Sequence, residues 1–216
     1  MYVPPYHRLT DRDAVFSLIE AHSLGTWVCQ SNGGLVVNHI PFVLDRQMGP
    51  NGTLLGHVAR ANTVWRELQT TTLSVVAFQG PQAYITPGWY PGKVEHGRVV
   101  PTWNYIAVHA HGVARVVEDR DALWDLLNRL TNAQEAKRSS PWRVNDAPAS
   151  FVERMMDAIV GIEISIERLE GKLKVSQDEA RADREGTVSG LRACPGEAAH
   201  AMADLIRNAL DSDSQP

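Results

Sequence analysis

Two stretches of this chain alternate apolar and polar residues for longer than most strands run, and they narrow the fold more than any other feature. Residues 159–176, IVGIEISIERLEGKLKVS, set Ile162, Ile164 and Ile166 on one side and Glu163, Ser165 and Glu167 on the other. Residues 102–118 do the same, with Ile106, Val108 and Ala110 facing one way and Tyr105, Ala107, His109 and His111 the other. A period of two marks a strand, and alternation marks one that is dry on one face only, as in antiparallel sheets. TWVCQ, the turn SNGG and GLVVNHIPFVL read as a hairpin, and TLLGHVA as a further strand. LSVVAFQG and QAYITP read as two strands separated by Gly80-Pro81. Six or more strands joined by hairpins suit an antiparallel barrel better than a βαβ layout.

Helical periods fall between and after these strands. Thr10 and Asp13 form a variant capping pair for a helix running to about Ser23, with Val15, Phe16, Leu18 and Ile19 on its apolar face. Residues 61–69 read as helix with Asn62 as N-cap. Residues 121–136 carry Leu123, Trp124, Leu126, Leu127 and Leu130 at helical spacing, and 148–158 make a shorter helix. From Asp178 two helices, broken at Pro195-Gly196, lead to a polar tail. Pro91, Gly92 and Gly97 predict a long mobile loop over 88–101, suited to a lid. The expected organisation is a main domain over 1–177 and a helical extension over 178–216.

At 216 residues the chain suits one domain of ordinary size. A formal charge of −4, a pI near 6.1 and the lack of a Lys/Arg run argue against direct DNA binding. Cys29 and Cys194 form neither a CxxC pair nor a disulfide framework, which fits a reducing cytosol. The chain start lacks the apolar core of a signal peptide, and no apolar run approaches membrane-spanning length, so a cytoplasmic protein is expected. Nucleophile-elbow, Walker and dinucleotide signatures are missing, so hydrolase and nucleoside-triphosphatase readings lack support.

Two segments carry chemistry. RVVPTWNYIAVHAH, residues 98–111, puts Thr102, Trp103, Asn104 and Tyr105 together. Rings stack on a flat heterocycle while amide and hydroxyl groups bond its edge, although the same residues suit a strand entering a core. GHVARAN, residues 56–62, offers His57, Arg60 and Asn62 at a strand-to-helix turn. A cation, an amide and free backbone N–H groups around one point make a phosphate cradle, or simply a capped helix with an exposed Arg. Lys172 and Lys174 share one face of a strand end. His109 and His111 face the same way, but no third ligand at metal spacing is evident.

MYVPPYHR, GHVARAN, FQGPQAYITPGWYP, VPTWNY and GIEISIERLEGKLKVSQ occur in that order. In this the chain resembles the FMN-binding negative transcriptional regulator family, the PaiB-like proteins, over about residues 1–191. The resemblance implies a mainly β, α+β fold: a split β-barrel of the flavin reductase and pyridoxamine-phosphate oxidase kind, with flanking helices and a helical C-terminus. It also implies a homodimer with FMN between subunits. Arg60, Asn62 and His57 would then hold the FMN phosphate. Thr102, Trp103, Asn104 and Tyr105 would line the isoalloxazine, some of them from the second subunit. Asn38 and His39 would face the same groove, though a lone His there also suits a structural role. Lys172, Lys174, Ser176 and Gln177 match the family's GKxKxSQ block, where a lysine would tune the flavin's potential. Asp178 stands where the family usually has Asn. The implied function is an FMN-binding regulator. The alternatives are a small FMN-dependent oxidoreductase, with 88–101 closing over substrate through Trp89, Tyr90 and Lys93, and a haem-binding split barrel.

Overall fold

Gly33 and Gly34 close the first hairpin. A computed structural model describes residues 1–68 and 73–213. In it β2 (Leu24–Ser31) pairs with β3 (Gly34–Asp45) from Leu24↔Pro41 to Ser31↔Gly34. Gly34 takes φ +119°, a value L side chains avoid, which is why a glycine ends this turn. The other strands are β1 (Arg8–Leu9), β4 (Thr53–Ala59), β5 (Leu73–Ile85), β6 (Thr102–Val117) and β7 (Ile159–Lys174). The sheet order is β1-β7-β4-β3-β2-β5-β6, and β6 also pairs with β7. That last pairing closes six strands into a ring with β1 added along β7. This is the antiparallel barrel expected, and closure leaves few open edges.

Among the described residues seven α-helices accompany it: α1 (Arg12–Ala21), α2 (Val64–Glu67), α3 (Gly92–Glu95), α4 (Arg120–Glu135), α5 (Ala149–Asp157), α6 (Arg181–Ala193) and α7 (Glu197–Ser212). Asp11, not Thr10, caps α1, its carboxylate accepting from Asp13 N at 2.9 Å. The helix expected over 61–69 shortens to α2, because Asn62 Oδ1 folds onto Val64 N in a local turn. Gln69 and the polar tail from Ser214 lie outside the described residues.

The described residues form two compact units. The first takes Met1–Val15, Gln79–Val108 and the residues from Glu170 on; the second takes Phe16–Phe78 and His109–Leu169. In the first, Ile85, Val175, Val188, Leu191, Met202, Ile206 and Leu210 pack into one core. In the second, Leu123, Leu126, Val144, Val152 and Met156 form one cluster, and Trp27, Phe42 and Phe78 are buried as well. Each such side chain contributes about 1.5–3 kcal/mol through burial.

Three further expectations change. β5 runs unbroken through Gly80-Pro81, because Pro81 lies beyond the Val75–Ala77 stretch paired with β2 and its missing N–H costs that ladder nothing. The 88–101 segment is not a free loop. Its first half folds into a 3-10 turn at Pro87–Trp89 and into α3, and Gly92 N donates to the buried carboxylate of Asp183 at 2.9 Å. Gly186 and Gly190 on α6 leave a smooth seat for Trp89, since a Cβ at Gly190 would fall 2.3 Å from the indole. Finally, Glu163 is buried rather than wet, held by Arg115 through paired bonds of 2.7 and 2.8 Å.

Candidate functional site

Antiparallel pairing of Arg8 with Lys172 and Leu9 with Gly171 brings the first residues of the chain onto the end of β7. Gly171 permits the approach, because a Cβ there would lie 2.8 Å from Leu9 O. Lys172 is consequently buried. Its Nζ donates to Tyr2 O at 3.3 Å and lies 5.1 Å from the Tyr105 ring centre and 5.9 Å from that of Tyr2. An ammonium over two π-faces is attracted electrostatically by both rings. Lys174, two residues on, donates to Thr102 Oγ1.

Gln177 binds this end of the strand from below. Its Nε2 donates to Leu173 O at 2.6 Å, and its Oε1 accepts from Val175 N at 2.8 Å and faces His7 Nδ1 at 2.9 Å. Since Oε1 only accepts, His7 carries its proton on Nδ1 and keeps Nε2 as an acceptor. His7 is buried, and burial pushes its pKa below the ordinary value despite the bond to Gln177.

Thr102 and Asn104 share one face of β6, Trp103 and Tyr105 the other. Asn104 is fully buried. Its Nδ2 donates to Ser176 Oγ at 2.8 Å while its Oδ1 has no partner. Ser176 adopts φ +59°, the one non-glycine residue with positive φ among those described. Asn104 therefore points into the first unit's interior instead of offering its amide at a surface. Trp103 is half exposed, edge-on to half-exposed Tyr84 with centres 6.0 Å apart. Tyr90 sits in the core beside α6, and burial followed by the nearby Glu179 charge pushes its pKa up to about 12 against the smaller opposing effect of Ser176.

The second unit holds the other residues expected at the site. Arg60 is fully engaged: Nε donates to Asp157 O at 2.9 Å, Nη2 to Ile159 O at 3.1 Å and Nη1 to the Glu118 carboxylate at 2.9 Å. Its own carbonyl accepts from Trp65 Nε1 at 3.0 Å. The guanidinium thus ties the end of β4 to the α5–β7 junction, which is a structural use of those donors. Asn62 Nδ2 donates to Asn38 Oδ1 at 2.8 Å, which joins two of the expected residues and leaves Asn38 Nδ2 unpartnered. His57 Nδ1 is buried without a partner, and burial lowers the His57 pKa. His39 is exposed on β3, opposite Thr26. Arg66, which sequence reasoning passed over, is exposed and stacks its guanidinium 4.8 Å from the Trp65 ring centre.

Within the first unit, lysines beside aromatic rings and a half-exposed indole suit a flat, anionic cofactor. Sequence reasoning missed His7 and Tyr2, although both lie in the first of the five blocks. A family described as "Putative FMN-binding domain" matches residues 1–168. The chain belongs to this FMN-binding family. FMN is the cofactor that the family takes. An uncharacterized protein of Emericella nidulans is 38% identical over 201 residues, covering 79% of this chain and 80% of the relative. Protease synthase and sporulation protein PAI 2 of Bacillus subtilis is 30% identical over 210 residues, covering 97% of this chain and 98% of the relative. That match places this member of the FMN-binding family among the PaiB-like proteins. Among solved structures, the FAD and heme binding protein from Mycobacterium smegmatis superposes with a TM-score of 0.59 at 18% identity, over 82% of this chain and 78% of that one. The flavocytochrome Anf3 from Azotobacter vinelandii gives 0.58 at 16%, over 80% and 72%. At these identities the likeness is one of fold, the split β-barrel. Among the described residues no helix is long and apolar enough to cross a membrane.

Proposed function

We propose that this chain is a cytoplasmic, FMN-binding homodimer that lowers transcription in the PaiB-like manner, acting through a protein partner rather than by gripping DNA. The observation that carries the cofactor half is the Lys172 ammonium lying over both the Tyr2 and the Tyr105 ring, with Lys174 beside Thr102. FMN, when bound, supplies one- and two-electron redox chemistry at its ring. Lys172 and Lys174 would supply positive charge at the ring's polar edge, while Trp103 and Tyr105 would offer it stacking surface. Gln177 and His7 would keep the lysine-bearing strand end in place. Within the second unit, taken by itself, exposed Arg66 is a better phosphate partner than Arg60, whose three donor groups are already taken, and Asn62 orients the buried Asn38 amide.

One sheet face of the second unit supports the homodimer. Leu24, Leu35, Val37 and Leu73 are each at least half exposed, and Val28, opposite Val37, belongs to the same face. An apolar sheet face of this kind is an ordinary subunit interface. A net charge of −4 supports indirect regulation, since a phosphate-neutralising surface would be basic. The oxidoreductase alternative relied on 88–101 closing as a lid, and Trp89 and Tyr90 are instead packed against α6 and in the core. The deciding experiment is the visible spectrum before and after adding FMN, followed by sedimentation. A two-band flavin spectrum that saturates at one FMN per chain in a dimer is the expected result. A Soret band, or a colourless monomer indifferent to FMN, overturns the reading.

A further inference from the structure

A cleft of about 400 Å³ opens in the second unit between α4, α5 and the turn that joins them. One stripe of α5 lines it, Ala149, Val152, Glu153 and Met156, at the spacing that keeps side chains on a single helix face. The facing stripe of α4 is Arg120, Asp121 and Trp124. Val152 and Met156 are buried and give the cleft an apolar floor, while Ala147 and Ala149 are small enough to leave it open. Its volume is that of a small-molecule site.

The charges in the cleft do not balance. Arg120 is matched, its Nη1 lying 2.6 Å from Asp157 Oδ1. Asp121 and Glu153 are both exposed carboxylates, and among the described residues neither has an ion-pair or hydrogen-bonding partner for its side chain. The N-terminal turn of α4 would by itself favour an anion. Asp119 already meets it, accepting from Ala122 N at 2.9 Å, so the two carboxylates remain as uncompensated charge. Trp124, half-buried on the same cleft wall, adds apolar ring surface beside them.

We propose that this cleft binds an organic cation, an ammonium group carried on an apolar body, with Asp121 and Glu153 facing the charge and Trp124 the body. The site is separate from the flavin-binding residues, none of which line it.

Isothermal titration of the full chain with benzyltrimethylammonium, benzyl alcohol and benzoate, at matched ionic strength, tests it. The cation binds saturably, the neutral alcohol at least about tenfold more weakly, and benzoate does not saturate. D121N/E153Q, isosteric and at exposed positions, keeps the wild-type melting temperature and FMN affinity and loses about tenfold or more in cation affinity. W124L weakens the cation as well. Equal affinity for all three compounds overturns the proposal, as does a lack of saturation by the cation below about 10 mM or wild-type affinity in D121N/E153Q. Should the double variant not fold, E153Q alone decides by the same comparison. Because FMN binding is read on the same samples, failure here and failure of the flavin reading are told apart.

Discussion

His7 Nδ1 lies 2.9 Å from Gln177 Oε1, so a residue near the chain start and one just past the last strand hold each other across the sequence. The same Gln177 amide also bonds the backbone at Leu173 and Val175. Replacing it with Ala removes three bonds at once. Q177A is therefore expected to lose about 2–3 kcal/mol of stability, at about 1 kcal/mol per bond, and to bind FMN more weakly because Lys172 and Lys174 lose their fixed strand end. Denaturant melts and FMN titration check this; wild-type values in both would remove Gln177 from the site's support.

Arg60 and Arg66 should separate stability from binding. R60A strips two backbone carbonyls and a carboxylate of their donor and is expected to cost about 1.5–3 kcal/mol while leaving FMN affinity within about threefold. R66A should leave the melting temperature alone and weaken FMN by about tenfold, the value of one charge-assisted phosphate contact. The opposite pattern, with R60A fully stable and unable to hold FMN, would return the phosphate to Arg60.

Gly190 is expected to tolerate no side chain. A Cβ at that position falls 2.3 Å from Trp89, so G190A must push the indole off α6, at a cost of about 1–3 kcal/mol for overpacking. Limited proteolysis then cuts within 88–101, where the wild-type chain resists. Equal resistance in both proteins would mean that α6 does not hold this segment.

Acid should weaken the fold. Burial lowers the folded-state pKa of His57 below 6.5. The unfolded chain takes its proton near 6.5 while the folded chain resists, so stability is full above that pH and declines as pH falls from 6.5 toward the lower folded value. His7 shifts in the same direction for the same first cause. H57Q should flatten the acid side of a melting-temperature profile; a variant profile parallel to the wild type would dismiss His57 as a contributor.

The exposed Leu35 and Val37 give a direct assay for the subunit interface. V37K places a charge in the middle of the apolar face and is expected to shift sedimentation equilibrium toward monomer by tenfold or more, roughly 1.4 kcal/mol or above. If V37K associates like the wild type, the dimer forms elsewhere.

Strand periodicity carried most of the fold: β6 and β7 could be read from side-chain alternation alone, because one face of each is buried and that pattern is local. What escaped notice depended on partners far away in the chain. Gly186 and Gly190 look like helix weakeners until Trp89 is seen resting on them. Glu163 looks like a wet strand residue until Arg115, on another strand, is seen gripping it. At the candidate site, Lys172, Lys174 and Gln177 were legible through their block. Arg60 was legible as a cation but not as one already bound, since its three acceptors lie 58 to 99 residues further along.

The first unit is assembled from three separate pieces of sequence, the last beginning at Glu170. On a ribosome, Lys172, Lys174, Ser176 and Gln177 emerge late, when every segment of the second unit has already been synthesised. The second unit can begin to fold while Tyr2, His7 and Tyr105 wait for their partners, so termination shortly before Gln177 would leave a chain with strands but an unfinished lysine cluster. Nor could one cut in the gene lift that cluster out for transfer to another protein, which ties its inheritance to that of the whole polypeptide.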